Sequence, residues 1–440
     1  MPATIESLPV ELVVHVATYL DFQPVCSLRL ASRTLAGKLS PAHLPQFFAY
    51  KNVKLDYGSL NDLVYMTCPG RAGCSLQHCT ITGVVADESG EPALTRLLTD
   101  AFANLKRNSS RASLVSLRVN AESRPEGICT DNERPLGFSV QDNGVFELNC
   151  RRELRIIWHT AQQTFETTMA ALRECHLSVS EHFELFGAVR GCGLSYRDAL
   201  LPITQLASAT TVFSLLKKLT MRLSSIRISS VQISSTYDQS MTVRQSMHGS
   251  SLLQGLLVIL ASMPHLEELD IHWYNIGSLD STSLENSTVD LDVAAPLESP
   301  HLNLKACSLR GLYVAGEDLL RYLKAARPTK LTLTDIRLIP GTWTPIFEYL
   351  SSSISPITSY HLDDLRESDG LLVHFDDVPG QSKFPYRGVQ MGPSTLTRQM
   401  GEVGATIRYQ CTTRRPLGSG ARMRWLESKK LEFGPPDIFQ

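Results

Sequence analysis

Apolar positions follow two different rhythms along this chain. Over the first forty residues they recur at helical spacing; beyond that they alternate in short runs separated by amphipathic stretches. In the first region, Pro9 and Glu11 suit the first turn of a helix, where a missing N–H costs nothing and a negative charge meets the positive end of the dipole. Leu12, Val16, Tyr19 and Leu20 then define one apolar face, and Val10, Val13, Val14 and Ala17 a second. A helix apolar nearly all round needs cover on both sides, so one side is expected to await a partner. Asp21-Phe22-Gln23-Pro24 breaks this helix, and Pro24 opens another whose Val25, Leu28 and Ala31 point inward. Ser32 can cap a third helix over Arg33–Leu39, which Ser40-Pro41 ends.

The second rhythm begins with an expected strand over Asn52–Tyr57. It then settles into a recurring Leu-x-x-Leu-x-apolar pattern at Leu114/Leu117/Val119, Leu216/Leu219/Met221, Leu266/Leu269/Ile271 and Leu309/Leu312/Val314. Looser copies stand at Leu333/Ile336/Leu338 and Ile357/Tyr360/Leu362. Helical patterns accompany them at Leu94–Leu105, Thr160–Arg173, Leu252–Met263, Glu317–Ala326 and Trp343–Leu350. Helix and strand in alternation, each unit too small to bury its own faces, predict an α/β solenoid with parallel strands along one edge. The step from Leu309 to Leu333 is 24 residues, a normal repeat length; the 50 from Leu216 to Leu266 and the 43 from Leu266 to Leu309 imply inserted loops or degenerate units. Three stretches, Asn120–Leu148, Ser224–Ser251 and Ser278–Pro300, have the composition of solvated loops.

The first region resembles a known family. Leu8-Pro9-x-Glu11-Leu12, Val16, Tyr19-Leu20-Asp21, Val25, Leu28-Arg29-Leu30-Ala31-Ser32-Arg33 and Leu35 are similar to the F-box, over about the length of that whole motif. The resemblance implies docking to the Skp adaptor of a cullin–RING ubiquitin ligase. Carried over by position, the adaptor-contacting residues would be Leu8, Pro9, Leu12, Val16, Val25, Leu28 and Leu35. The whole layout resembles fungal F-box proteins with diverged leucine-rich repeats. The fold class expected is therefore α/β: a three-helix F-box followed by an irregular leucine-rich-repeat-like α/β solenoid. The domains would be residues 1–45 (F-box), 46–375 (repeat-like body) and 376–440 (a loop-rich basic tail). The function implied is recruitment of a protein substrate for ubiquitination. A protein that binds the adaptor without joining a ligase is the alternative.

Composition narrows this picture. Of 440 residues 43% are hydrophobic, enough for a substantial core, and the net charge of −2 argues against general nucleic-acid binding. No run is long enough to span a bilayer, the first residues lack the basic region of a signal peptide, and ten scattered cysteines fit reduced thiols. A cytoplasmic or nuclear location is expected, with neither membrane nor nucleic acid as partner. Cys68, Cys74, His78 and Cys79 are crowded together, but without the paired spacing of a zinc site, so no metal is expected. Among catalytic patterns there is no nucleophile elbow, phosphate loop or paired-histidine metal motif. The chain is expected not to be an enzyme and to use no cofactor. Arg408, Arg414, Arg415, Arg422, Arg424, Lys429 and Lys430 give its end a basic bias that reads as a solvated terminus.

Overall fold

A computed structural model of the chain describes residues 5–20, 22–39, 48–84, 91–122, 145–187, 192–224, 240–274 and 303–412 (except 369, 377, 385 and 387), together with 425, 428–429 and 432–433. Three short helices come first: α1 (Val10–Ala17), α2 (Phe22–Ala31) and α3 (Arg33–Leu39). The body then runs β1 (Tyr50–Lys54), α4 (Tyr57–Thr67), β2 (His78–Gly83), α5 (Glu91–Asn108), β3 (Ser113–Ala121), α6 (Val145–Cys175) and β4 (Ser178–Leu185). It continues with β5 (Leu194–Ser195), α7 (Tyr196–Ala209), β6 (Lys218–Ser224), α8 (Ser240–Ser262), β7 (Glu268–Trp273), β8 (Ala306–Arg310) and β9 (Tyr313–Val314). The last elements are α9 (Gly316–Ala326), β10 (Lys330–Thr334), β11 (Arg337–Leu338), α10 (Thr344–Ser351), β12 (Ser359–Asp363), β13 (Val373–Phe375), β14 (Thr395–Arg398) and β15 (Tyr409–Cys411).

The body is a mixed α/β structure built on one large, mostly parallel sheet of order β1-β2-β3-β4-β6-β7-β8-β10-β12-β14, with β5 beside β6. Neighbouring strands follow one another in sequence and run parallel until β14, which pairs antiparallel with β12. Successive helices from α4 to α10 pack each on the next. Alternation along the strands aims one side of each into the layer between sheet and helices. Leu219, Leu269, Cys307, Leu331 and Tyr360 share one register row there, and Met221, Ile271, Leu309, Leu333 and Leu362 the next. All ten are buried. One continuous core results, into which α8 is drawn so closely that a Cβ on Gly249 would lie 1.9 Å from the carbonyl oxygen of Tyr313.

The five predicted helices all occur, as α5, α6, α8, α9 and α10, and each Leu-x-x-Leu-x-apolar copy contributes a strand. The differences have local causes. β1 ends at Lys54 because the Asp56 carboxylate accepts a hydrogen bond from the Ser59 N–H (2.8 Å) and starts α4 at Tyr57. From Ser240 onward the serine-rich stretch Ser224–Ser251 is helix, since it leads into the apolar turns of α8. Residues 123–144, 225–239 and 275–302, which hold most of the three loop-like stretches, lie outside the described residues. Residues beyond 375 add strands as well. Thr395–Arg398 closes the sheet as its last strand, and β15 pairs with β13.

At the carboxyl ends of the strands the chain turns through a left-handed residue: Phe186 after β4, Gly311 after β8, Asp335 after β10 and Asp364 after β12. The N–H of each of the last three bonds to a carbonyl of the next strand or its extension, those of Thr334, Asp363 and Ser394. These residues thus form an aligned corner along the sheet.

Candidate functional site

The three-helix head has its own small core, separate from that of the body. It consists of Val13, Ala17, Val25, Leu35 and Leu39, with Leu8, Leu20 and Leu28 packed half-buried around it. Ser32 Oγ accepts a hydrogen bond from the Leu35 N–H (3.4 Å), the expected cap of α3. Lys38 Nζ reaches back to the carbonyls of Glu6 (2.7 Å) and Leu8 (2.6 Å), which ties α3 to the entry of α1. The i, i+4 pair Val13/Ala17 faces inward. Apolar side chains flanking that pair stay uncovered: Leu12 is 50% exposed, Val10 and Val16 are exposed, and Tyr19, just past the helix, is 77% exposed.

The seven residues singled out from the sequence therefore divide. Pro9, Leu12 and Val16 are exposed, and Leu8 and Leu28 are half-buried at the rim. Val25 and Leu35 are buried within the head, so their side chains hold the helices together and are not offered outward. They were expected at a contact surface, but the i, i+4 geometry of short helices puts them at the three-helix centre. Leu30, 89% exposed on α2, belongs to the outer apolar set and was not singled out. Its signal was present: it sits beyond the inward positions Val25 and Leu28 on the helical wheel.

A second surface is the outer face of the large sheet. Its side chains are polar and largely paired across strands. Arg310 grips both oxygens of Asp270 (2.8 and 2.9 Å), Arg118 bonds Glu184 (3.0 Å), and Lys218 bonds Glu268 (3.0 Å). Histidines join in: His78 Nδ1 lies 2.8 Å from Ser116 Oγ, and His182 Nε2 3.1 Å from Thr220 Oγ1. Burial, reinforced by Lys218 and Arg118, lowers the His182 pKa to about 4, so its ring is neutral near pH 7.

The crowded cysteines and histidine are not brought together as ligands. Cys79 is buried in the core, whereas its neighbour His78 points to the opposite face and stacks on Tyr50. The thiols of Cys68 and Cys74 bond to carbonyls of the preceding turns. Among the described residues no cluster of three or more such side chains could hold a metal ion, and no helix is long and apolar enough to cross a membrane. A cleft of about 460 Å³ opens at the amino-terminal ends of β4, β6 and β7. Its charged residues pair as Glu181–Lys217 (2.9 Å) and Glu267–Lys305 (2.8 Å).

Of the basic residues near the chain's end, Lys429 is not solvated. Its Nζ lies 2.9 Å from the buried Asp364 carboxylate, which offsets the cost of desolvating both charges. Arg414, Arg415, Arg422, Arg424 and Lys430 lie outside the described residues. No protein-family model matches this chain, and no curated protein matches it in sequence.

Proposed function

We propose that the chain is a substrate-recognition subunit of a Skp–cullin–F-box ubiquitin ligase, a non-catalytic adaptor that needs no cofactor. The head would dock the Skp adaptor and through it a cullin, while the body, an irregular leucine-rich-repeat-like solenoid, would hold a protein substrate. The observation that carries this reading is the head's division into a closed core and an exposed apolar strip formed by Pro9, Leu12 and Val16. The body lends support. Strands in sequence order, an aligned corner, and a parallel sheet with one polar outer face are expected of stacked repeats; parallel sheets elsewhere are covered on both faces. In such a complex this chain contributes proximity, by raising the effective concentration of a substrate lysine near the charged ubiquitin carrier.

The test is capture of the purified Skp adaptor by the full chain. Burying Leu12 and Val16 should contribute about 1–2 kcal/mol each, so Leu12→Ala with Val16→Ala should weaken capture by about 30–1,000-fold without lowering the melting temperature. Capture by the double variant at the wild-type level would remove the docking assignment. Recovery of a cullin in the same complex separates a ligase subunit from a protein that binds the adaptor alone.

A further inference from the structure

The aligned corner on the body is occupied by the chain's own end. Residues 425, 428–429 and 432–433 are helical, and Trp425, Lys429 and Phe433 follow one another at four-residue steps, hence on one face. All three lie against the corner. The Asp364 carboxylate is divided between two sets of partners. Its Oδ1 is bound by the body, by Lys383 Nζ (2.8 Å) and Ser394 Oγ (3.0 Å). Its Oδ2 is bound by Lys429 Nζ (2.9 Å) and Trp425 Nε1 (3.3 Å). The Arg366 guanidinium lies 5.1 Å from the Trp425 ring, and the Phe433 ring stacks on His272 at 4.9 Å.

The corner is shaped for these contacts. Of the three sister positions 311, 335 and 364, only 311 is glycine, and a Cβ there would sit 2.5 Å from the Trp273 carbonyl oxygen and 2.6 Å from Phe433 Cδ1. Glycine thus leaves room for both the Trp273 backbone and the Phe433 ring where the others carry aspartate. His272 Nε2 meets the Glu432 carbonyl oxygen at 2.7 Å. Two buried nitrogens, His272 Nδ1 and Arg366 Nε, have no hydrogen-bond partner among the described residues. A surface that is polar, charged and incompletely satisfied has the character of a reversible contact between folded parts more than of a core.

We propose that this corner is a docking groove for helical peptide segments that present an aromatic residue, a lysine and a second aromatic residue at four-residue steps, and that the chain's own Trp425, Lys429 and Phe433 are its resident occupant, displaced by a partner carrying the same pattern. Asp364 reads the lysine, the Gly311–His272 socket reads the second aromatic ring, and Arg366 stacks on the first. The inference stands whether or not the head docks an adaptor.

The experiment uses full-length protein and a fluorescent peptide with the sequence of residues 421–437. In the triple variant Trp425→Ala, Lys429→Ala, Phe433→Ala the groove is vacated, and the peptide should bind it saturably. The wild-type chain should bind at least about tenfold more weakly, because its own segment competes. Peptides with Lys429→Glu or Phe433→Ala should lose binding to the vacated groove, a comparison that leaves the protein unchanged. Absence of binding to the triple variant, equal binding to both chains, or indifference to the Lys429→Glu change would each overturn the proposal. So would failure of the triple variant to fold, since the segment would then be part of the obligatory core.

Discussion

His272 and His182 show what a single side chain contributes to the pH response. Burial is the main cause that lowers both to about 4, aided at His272 by Arg222 and at His182 by Lys218. In the unfolded chain each would titrate near about 6.5. Above that value both states are neutral and the histidines do not affect stability. As the pH falls from about 6.5 to about 4, the unfolded chain takes up protons that the folded chain refuses, and stability declines. At about 1.4 kcal/mol per pKa unit, each histidine can account for a loss of up to about 3 kcal/mol. Asp364 acts in a lower window. Burial pushes its carboxyl up, but Lys429 and Lys383 outweigh burial and bring it to about 2, so its contribution disappears as the pH falls from about 4 to about 2. Urea melts at pH 7 and pH 4.5 should show the histidine effect, and His272→Gln should reduce the difference between them. An unchanged difference in that variant would remove His272 as a cause.

At the scale of elements, legibility in the sequence followed the distance over which each element is determined. The head helices could be read because caps, breaks and faces are all local: Ser32, Pro24 and the Val13/Ala17 pair act within a few residues of themselves. The leucine-bearing strands could be read for the same reason. β2 was missed because its inward residues are Cys79, Ile81 and Gly83, with no leucine among them, and α7 because Pro202 lies inside it. The corner could not be read at all, since its partners are 61 residues apart for Trp425 and Asp364 and 160 apart for Glu432 and His272. The head's independence has a testable consequence. Its helices are only 8, 10 and 7 residues long, too short to persist without their shared core. Leu35→Ala should cost about 2–5 kcal/mol and release amide protection over residues 10–39 in hydrogen exchange, while the β3–β12 strands stay protected. Loss of protection in both regions together would show that the two cores are coupled.

At the scale of the molecule, the buried thiols mark how far the body's core extends. Cys79 on β2, Cys192 just before β5 and Cys307 on β8 are all fully buried, and burial pushes each up to about 12. Thiols held protonated are poor nucleophiles. Native alkylation should therefore modify the half-buried Cys26, Cys68 and Cys74 first, and reach Cys79, Cys192 and Cys307 together, at the rate of global opening. Labelling of Cys79 well ahead of Cys307 would mean that the core opens in sections. The mixed α/β character of the body was the part of the fold most accessible from sequence, because the apolar rhythm that sets each strand is the same one that aligns it with its neighbour.

The reversal of β14 sets a limit on growth. Every earlier strand presents its successor with a neighbour of the same direction, onto which one more helix–strand unit of the same hand could be laid. An added unit after β14 would meet a neighbour running the opposite way. Extension of the sheet by another unit of the same kind is thereby blocked at this edge, where Thr395–Arg398 acts as a stop.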